Sequence, residues 1–325
     1  MSLQNTILVT GSAGFIGFAL SKKLLEKGIP VVGVDSLNSY YDVQLKLARN
    51  AELKKYSHYS FEHLNLCDLE SVKSVFKKYQ VSRVCHLAAQ AGVRYSLQNP
   101  FEYQKANLEG FLNILDESKN AKIENFVYAS SSSVYGGNTR LPFSEKDPVN
   151  HPISLYAATK RANELMAHTY SHLYGIPTTG LRFFTVYGPW GRPDMALFLF
   201  TKMILEGKPI EVYNYGNMRR SFTFIDDIVS AVMTCLQTPF PYEIFNLGND
   251  RSASLMEYIG IIEKKLGKSA EKIMMPIQPG DVPETIADLT HAKEKLGFSP
   301  KTNIEEGVGR FIDWYRSYYH TRGNT

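Results

Sequence analysis

The sequence lacks the features that mark several classes of protein. Its 325 residues include only three cysteines, Cys67, Cys85 and Cys235. They lie far apart, without the CxxC spacing of a metal site or the pattern of a disulfide framework. No run of about 18 apolar residues could span a bilayer, and no basic-then-apolar signal region opens the chain. These absences predict a cytoplasmic protein with no metal and no membrane partner.

Runs of like charge are also missing. The 36 lysines and arginines exceed the 32 acidic residues by only four, and they are spread along the chain, so nucleic acid is not the expected partner. A diffuse positive balance is compatible with a small anionic substrate, but an ordinary protein surface has the same balance. Low-complexity segments and internal repeats are absent too.

Short β-branched runs alternate with longer helix-period segments from residue 6 to about residue 180. With 44% apolar residues, the chain can bury a large core. Strands that are apolar along their whole length imply a parallel sheet covered on both faces by crossover helices. The pattern predicts an α/β fold with a Rossmann-type doubly wound parallel sheet. Its predicted strands are residues 6–10, 31–35, 84–87, 126–130 and 178–182.

The alternation loosens beyond about residue 188. Proline and glycine crowd positions 188–193, and a helix is predicted near residues 197–206, a hairpin-like turn at 214–217, and short helices after Ser252 and at the end. We therefore expect a Rossmann-type domain over residues 1–187. Residues 188–325 should form a smaller, mixed α/β substrate-binding region, with some chain crossing back to the first domain.

A glycine-rich loop follows the first predicted strand, and a helix is expected over residues 15–27. Glycine is needed where the backbone turns tightly or approaches a pyrophosphate, and the helix N-terminus supplies N–H groups and a positive dipole. Glycines alone can serve packing, but the strand before and the helix after favour a cofactor site. The expected contacts are Gly11, Gly14, Phe15, Ile16 and Gly17.

Asp35 ends the second predicted strand, where an acid accepts hydrogen bonds from both adenosine ribose hydroxyls. A carboxylate there repels a 2′-phosphate, and Ser36-Leu37 offers no arginine to hold one, so NAD is expected rather than NADP. Asp35 could instead cap a turn. Asp68 and Leu69 are candidate adenine contacts, although Asp68 could equally be a helix N-cap.

A serine run at residues 130–133 ends the strand predicted over residues 126–130, and a helix carrying Tyr156 and Lys160 follows. Positions i and i+4 share a helix face, so Lys160 can lie beside the Tyr156 ring. A phenol with a pKa of about 10 is a poor base at neutral pH, but a nearby ammonium and an oxidised nicotinamide both favour the phenolate. Tyr156 then becomes a usable general base.

These motifs, together with residues 35–42, 86–96 and 182–194, carry a resemblance to a known family. Over essentially its whole length the chain resembles the extended short-chain dehydrogenase/reductases of the nucleotide-sugar epimerase and dehydratase branch. Within that branch it is most similar to the bacterial UDP-glucuronate 4-epimerases. The resemblance implies an NAD-dependent isomerase that converts UDP-glucuronate to UDP-galacturonate through a transient 4-keto intermediate. A role in surface-polysaccharide biosynthesis is implied as well.

The resemblance also implies roles for particular residues. Tyr156, Lys160 and Ser131 should be catalytic, with Ser131 sharing the sugar 4-hydroxyl with Tyr156. A homodimer should form through helices near residues 100–118 and 156–174, whose apolar positions could equally face the sheet. Beyond the glycine loop and Asp35, the implied cofactor contacts are Asn38, Leu87, Ala88, Ala89, Gln90, Asn107, Tyr156 and Lys160.

The serine run bears on the type of chemistry. Relatives that eliminate water or lose carbon dioxide generally carry an acidic side chain at the second, or second and third, positions before the tyrosine of Val134-Tyr135-Gly136. Here those positions are Ser133 and Ser132, which can hydrogen-bond a substrate but do not serve readily as bases. They should face the substrate, and they favour simple redox epimerisation.

At the substrate end, the resemblance places the diphosphate on Arg220, which Ser221 follows where the family usually has aspartate. Gln278 replaces a second phosphate arginine seen in UDP-galactose 4-epimerases, which disfavours the galactose substrate. Arg94 and Asp281 are further candidate substrate contacts, and Arg94 has no assigned place.

Thr185 and Arg192 are assigned to the uronate carboxylate, although Arg192 could simply brace its loop. A 4-keto uronate is a β-keto acid, so its carboxylate must be oriented to prevent loss of carbon dioxide. Three alternatives stay open: 4-epimerisation of UDP-glucose or UDP-N-acetylglucosamine, decarboxylation of UDP-glucuronate, and a catalytically dead NAD-binding regulator.

Overall fold

The computed structural model describes residues 6–320. Its strands are β1 (Thr6–Thr10), β2 (Val31–Asp35), β3 (Tyr59–His63), β4 (Val81–His86), β5 (Asn125–Ser131), β6 (Thr178–Phe183), β7 (Thr185–Tyr187), β8 (Ile210–Val212), β9 (Arg219–Arg220), β10 (Phe222–Phe224), β11 (Tyr242–Leu247), β12 (Ala253–Ser254) and β13 (Lys272–Met274). Seven of them form one parallel sheet in the order β11-β6-β5-β4-β1-β2-β3.

Helices cover both faces of this sheet. They are α1 (Phe15–Glu26), α2 (Val43–Leu53), α3 (Leu69–Lys78), α4 (Tyr95–Gln98), α5 (Pro100–Tyr103), α6 (Gly110–Asn120), α7 (Leu155–Tyr174), α8 (Ala196–Leu205), α9 (Ile225–Gln237), α10 (Leu255–Leu266), α11 (Thr290–Leu296) and α12 (Ile304–His320). A π-helical turn, Gln104–Glu109, joins α5 to α6. Within residues 6–320, no helix combines the length and the apolar character needed to cross a membrane.

Two apolar cores lie on opposite faces of the sheet. Successive side chains of a strand point to opposite faces, and β1 shows this directly: Ile7 and Val9 enter one core, whereas Leu8 enters the other. All three side chains are fully buried. The predicted doubly wound α/β architecture is confirmed.

The order of the strands reverses beside β1. The chain builds outward through β2 and β3, then returns to place β4 on the other side of β1. In an open parallel sheet, such a switch point leaves a crevice at the carboxyl ends of the strands, where ligands bind. The candidate site lies there.

Residues after β6 form the opposite wall of this crevice, and part of them returns to the main sheet. Helix α9 packs against α1 and β5, and β11 pairs with β6 at the sheet edge. Small two-stranded pairings, β7 with β10, β8 with β13 and β9 with β12, build the rest of the wall.

The hairpin-like turn predicted at residues 214–217 is wrong. Asn214 and Tyr215 have φ angles of 51° and 52° and lie in a short 3-10 turn, Tyr213–Gly216. The turn does not fold a strand back on its neighbour in sequence, because β8 pairs in parallel with the distant β13. An asparagine-rich turn specifies the local backbone but not the partner of the strand before it.

Candidate active site

A single large cleft of about 1170 Å³ opens at the carboxyl ends of the central strands. Pockets for one small ligand are typically about 300–1,000 Å³, so this cleft can hold two ligands side by side. The glycine loop and Asp35 define one end of it, and Arg192 and Arg220 line it as well. Ser131 and Tyr156 lie on its lining as well.

The glycine loop is shaped for close backbone contact. Gly11 has a φ of +71°, and a Cβ there would lie 2.8 Å from the backbone nitrogen of Ala88. A Cβ on Gly17 would lie 2.0 Å from the Gly11 oxygen. Helix α1 begins after Gly14 with no capping side chain, so its first N–H groups are available to an anion. The loop therefore fits the pyrophosphate of a dinucleotide.

Asp35 braces its own loop and also lines the cleft. Its Oδ2 accepts a hydrogen bond from the Ala13 N–H at 3.1 Å, and its Oδ1 accepts one from the Leu37 N–H at 2.8 Å. Each carboxylate oxygen has a further lone pair for a ligand hydroxyl. The turn-bracing role and a ribose contact are therefore compatible.

Lys46 is a residue of this end that the sequence analysis missed. Its ammonium lies 2.6 Å from both the backbone oxygen and the Oδ1 of Asn38, and it lines the cleft with Asn38. Burial lowers its pKa to about 8, against the opposing pull of Asp35. The only signal in the sequence was a lysine on the inward face of a helix, which is common in proteins without such a role.

Three of the expected cofactor residues, Asp68, Leu69 and Asn107, are not among the residues that line the cleft. Asp68 caps α3, accepting hydrogen bonds from the N–H and the hydroxyl of Ser71 at 3.2 and 2.6 Å. Asn107 is buried in the π-helical turn, where it exchanges hydrogen bonds with the backbone of Gln90 at 2.8 and 3.0 Å. Asn107 thus supports the loop that carries Gln90 without lining the cleft itself.

The cleft near Asp68 is lined instead by Leu64, Asn65 and Leu66, and Leu69 is exposed. Residues Leu87 to Gln90 line the cleft where β4 ends. Thr10 fixes them from the glycine-loop side, because its hydroxyl accepts a hydrogen bond from the Ala88 N–H at 3.2 Å.

The serine run turns into the cleft where β5 ends. Ser131 is the N-cap of a short 3-10 turn, Ser132–Tyr135, and its Oγ accepts a hydrogen bond from the Ser133 N–H at 3.1 Å. Ser131, Ser132 and Ser133 all line the cleft. The end of the strand thus presents three hydroxyls and no carboxylate within the run.

Tyr156 and Lys160 lie in the first turns of α7, whose N-cap Ser154 accepts a hydrogen bond from the Ala157 N–H at 3.1 Å. The two side chains share a face, and both line the cleft. The Lys160 ammonium donates a hydrogen bond to the Ala129 oxygen at 2.9 Å. Burial lowers the pKa of Lys160 to about 8.

Burial raises the pKa of Tyr156 above its ordinary value, while the Ser131 hydroxyl and the Arg192 charge act to lower it. From the sequence alone, Lys160 and the cofactor were expected to lower the pKa of Tyr156. The structure adds Arg192, a residue that no local motif connects with Tyr156. Charge on Arg192 can therefore influence the proposed base.

A buried ion-pair network supports this site from behind. Glu164, on α7, accepts hydrogen bonds from the Ser130 hydroxyl at 2.7 Å and from Arg182 Nε and Nη2 at 2.9 and 3.0 Å. Arg182 also donates to the Tyr135 hydroxyl at 3.0 Å. The network ties the end of β5 to α7, and so fixes the serine run relative to Tyr156.

At the opposite end, Arg94 and Arg220 share one carboxylate. Asp281 lies 3.5 Å from Arg220 and 3.6 Å from Arg94, and the Arg94 guanidinium lies over the Tyr213 ring at 4.8 Å. Ser221 faces away, donating to the Asn249 oxygen at 2.9 Å. The two cations, only loosely paired, form a site for an anion, and this gives Arg94 the place that the sequence did not.

Thr185 and Arg192 line the cleft as the serine run does, and Arg192 and Ser131 both act on Tyr156. Arg192 forms a side-on ion pair with Asp194, so it also braces its loop. The bracing role and a substrate contact use different edges of the guanidinium and are compatible.

Residues 7–248 match the model of the NAD dependent epimerase/dehydratase family, and the chain belongs to this family, as the resemblance indicated. Protein CapI of Staphylococcus aureus is 52% identical over 331 residues, which cover 96% of this chain and 99% of that protein. UDP-glucuronate 4-epimerase 4 of Arabidopsis thaliana is 46% identical over 333 residues, covering 97% and 76%. The crystal structure of UDP-glucuronic acid 4-epimerase from Bacillus cereus in complex with UDP-glucuronic acid and NAD superimposes with a TM-score of 0.91 at 34% identity, covering 97% of this chain and 100% of that one.

Proposed function

We propose that the protein is an NAD-dependent isomerase that interconverts UDP-glucuronate and UDP-galacturonate by epimerisation at C4 of the sugar. One observation carries the proposal: a single cleft brings together the glycine loop, the pair Tyr156 and Lys160, and the cation Arg192 beside three serine hydroxyls. Relatives of similar sequence and structure that bear this activity in their names support the same choice of substrate.

The cofactor end of the cleft would hold NAD through the N–H groups of the glycine loop, the carboxylate of Asp35 and the residues from Leu87 to Gln90. Lys160 also lines the cleft and would contact the nicotinamide part of the cofactor. NAD, when bound, supplies the chemistry of accepting a hydride from a sugar carbon and returning it. The Asp35 carboxylate favours NAD over NADP, because it would repel a 2′-phosphate.

Tyr156 would take the proton of the sugar 4-hydroxyl and return it later in the cycle. Ser131 and Arg192 favour its phenolate against the effect of burial, which brings a tyrosine closer to usefulness as a general base. Ser131 would share the same sugar hydroxyl. The 4-keto intermediate must turn in the cleft between the two halves of the cycle, so that its opposite face is reduced.

The substrate is held at both of its charged groups. Arg220 and Arg94 would bind the diphosphate, which would replace part of their contact with Asp281. Arg192, Thr185 and the serines at positions 132 and 133 would bind the uronate carboxylate. Because the serine run adds no extra base beside the sugar, redox epimerisation is favoured over elimination.

The same proposal includes the wider organisation of the molecule. Residues 1–187 would form the cofactor domain and residues 188–325 the substrate region, with α9 and β11 crossing back.

A homodimer in the cytoplasm would form through α5, α6 and α7. Leu97, Phe101, Leu112, Leu165 and Leu173, on or beside these helices, are exposed and would be covered by the partner. The product is expected to serve as a precursor in polysaccharide biosynthesis.

The test is to incubate the purified protein with UDP-glucuronate, with and without added NAD, and to follow the sugar nucleotides by NMR. UDP-galacturonate with its carboxylate intact is the expected product. A UDP-pentose would instead indicate a decarboxylase, and turnover of only UDP-glucose or UDP-N-acetylglucosamine would indicate another 4-epimerase.

Tyr156→Phe is the matched variant, since it removes one hydroxyl. Loss of general acid–base catalysis should lower kcat by about 10²–10⁴-fold while NAD still binds. NAD binding without turnover in the unaltered protein, and no effect of the substitution, would instead identify a regulator with a dead site.

A further inference from the structure

The guanidinium of Arg192 is held in one orientation by Asp194. Nε donates to Oδ1 at 3.0 Å, and Nη2 donates to Oδ2 at 2.5 Å. This side-on pair occupies the Nε edge of the planar group, so the Nη1 edge remains for a second carboxylate. Burial disfavours the charge, but Asp194 outweighs it and keeps the pKa of Arg192 above its ordinary value.

Tyr40 holds the other side of Asp194. Its hydroxyl donates to Asp194 Oδ2 at 3.0 Å. Burial is the larger cause and the charge of Asp194 the second, and together they raise the pKa of Tyr40 to about 12. This hydroxyl therefore stays a donor at neutral pH. Its ring packs on Tyr95 at 4.8 Å, and a Cβ on Gly92 would lie 2.6 Å from its hydroxyl oxygen. The position of Tyr40 is therefore closely determined.

The backbone next to Arg192 is anchored by Arg49, which is fully buried. Its Nη2 donates to the oxygens of Trp190 and Gly191 at 2.6 and 3.2 Å. Its Nη1 donates to a glycine-loop carbonyl at 2.9 Å and to the Tyr41 hydroxyl at 2.8 Å. Arg49 thus ties the backbone before Arg192 to Tyr41, and Asp194 ties the Arg192 side chain to Tyr40. Both tyrosines lie in the loop that follows Asp35.

Arg192 lies where a uronate carboxylate must be controlled. It lines the cleft with Thr185 and Ser132, and its charge reaches Tyr156, the group assigned to the 4-hydroxyl. The carboxylate of the sugar is borne by C5, next to the carbon that becomes a ketone. The orientation of Arg192 therefore sets the orientation of that carboxylate relative to the ketone.

We propose that Asp194, fixed by Tyr40, is a positioning residue that presents the Nη1 edge of Arg192 to the uronate carboxylate and thereby keeps the carboxylate attached to the sugar. This inference rests on the proposed function. Asp194 acts through Arg192.

The reaction that this arrangement prevents is loss of carbon dioxide from the 4-keto intermediate. The C5–C6 bond breaks, its electron pair forms a C4–C5 enolate, and a solvent proton adds at C5. The product is a UDP-4-keto-pentose, and the cofactor stays reduced unless the ketone takes the hydride back. The bond breaks readily only when it is aligned with the π-system of the C4 carbonyl. Under the proposal, the fixed arginine holds the carboxylate out of that alignment.

Asp194→Asn tests the proposal in the full-length, NAD-loaded enzyme with UDP-glucuronate. The amide keeps the size but removes the charge and one acceptor oxygen. Losing a charged hydrogen bond that holds Arg192 should raise the ratio of pentose to UDP-galacturonate, measured by NMR, by at least about tenfold. Tyr40→Phe should change the same ratio in the same direction but less, and it keeps the test available if the first variant does not fold.

The pH dependence of kcat/KM gives a second test of the role of Asp194. If Asp194 only stabilised the fold, its substitution would not shift this profile in a predictable direction. Without the Asp194 carboxylate, the charge of Arg192 is uncompensated and stabilises the Tyr156 phenolate more strongly. The acidic limb of the kcat/KM profile should therefore move to lower pH in Asp194→Asn.

Asp226→Asn is the matched control, because Asp226 also pairs with an arginine, Arg310, at 2.6 Å, but on the exposed surface of α9. It should leave both the product ratio and the pH profile unchanged. A wild-type product ratio in both Asp194→Asn and Tyr40→Phe would overturn the inference while leaving the proposed function intact. Failure of the unaltered enzyme to convert UDP-glucuronate would overturn the proposed function and the inference with it.

Discussion

Two successive turns on one face of helix α7 differ in how their charges are paired. In the later turn, here called the paired turn, Glu164 is fully buried and contacts Arg182, Arg161 and the Ser130 hydroxyl. In the earlier turn, here called the cleft turn, the buried ammonium of Lys160 donates a hydrogen bond to the Ala129 oxygen at 2.9 Å, and it has no ion-pair partner among residues 6–320. The paired turn neutralises its charge within the protein, and the cleft turn keeps a cation available to a ligand.

This difference separates stability from reactivity within a single helix. A buried charge with several partners is costly to disturb, because removing one partner leaves the others desolvated and unpaired. A buried charge with few partners is itself costly, and it persists where a ligand completes its environment. The paired turn should therefore stabilise the fold, and the cleft turn should weaken it.

The largest expected effect is in the paired turn. Glu164→Gln leaves Arg182, only 3% exposed, without a carboxylate, and should lower the free energy of unfolding by about 3–5 kcal/mol. Urea unfolding followed by circular dichroism measures the change. Glu284→Gln, which removes the partner of the half-exposed Arg219, is the matched control and should cost less than about 1 kcal/mol. Equal losses in the two variants would contradict the comparison.

A smaller effect of opposite sign is expected in the cleft turn. Lys160→Met removes a cation whose pKa burial lowers from 10.5 to about 8. It should raise the free energy of unfolding of the nucleotide-free protein by roughly 1–3 kcal/mol while abolishing turnover. A lower free energy of unfolding in Lys160→Met would contradict this prediction. It would show that the contacts of the ammonium more than offset the cost of burying its charge.

The sign of this effect can be checked by its pH dependence. The lysine pKa is lower in the folded state than in the unfolded state, so the unfolded chain binds more protons between pH 8 and pH 10.5. Wild-type stability therefore rises with pH across this window. The advantage of Lys160→Met should be largest below pH 8 and should disappear as the pH approaches 10.5.

The smallest effect is expected at the exposed edge of the paired turn. Arg161 contacts Glu164 at 2.9 Å, but its side chain is 27% exposed and water can replace part of the contact. Arg161→Ala should lower the free energy of unfolding by about 1 kcal/mol or less. A loss as large as that of Glu164→Gln would mean that the network depends on both arginines equally.

Much of the site was predictable because its motifs are contiguous. The spacing of Gly11, Gly14 and Gly17, the acid at the end of β2, and the separation of Tyr156 from Lys160 all fall within single strand-turn-helix units, where local geometry fixes the neighbours. Asp68 shows the limit of this reasoning. An acid before a helix serves equally well as a cap or as a ligand contact, and the structure places it at the cap.

Contacts between distant segments were not predictable. The pairing of Glu164 with Arg182 depends on how α7 packs against β6. The link from Tyr40 through Asp194 to Arg192 depends on how two distant loops meet at the cleft. Strand β3, with partly exposed polar residues at the sheet edge, and β11, which returns from the second region, lack the continuous apolar signal of central strands. Their positions follow from tertiary packing.

The central claim is that the hydrogen at C4 leaves and returns within one active site. The most direct test is to supply UDP-glucuronate deuterated at C4, in ordinary water, and to measure the deuterium at C4 of the product by NMR. The account predicts UDP-galacturonate with the deuterium retained at C4 and the carboxylate intact. Replacement of that deuterium by solvent hydrogen would contradict it.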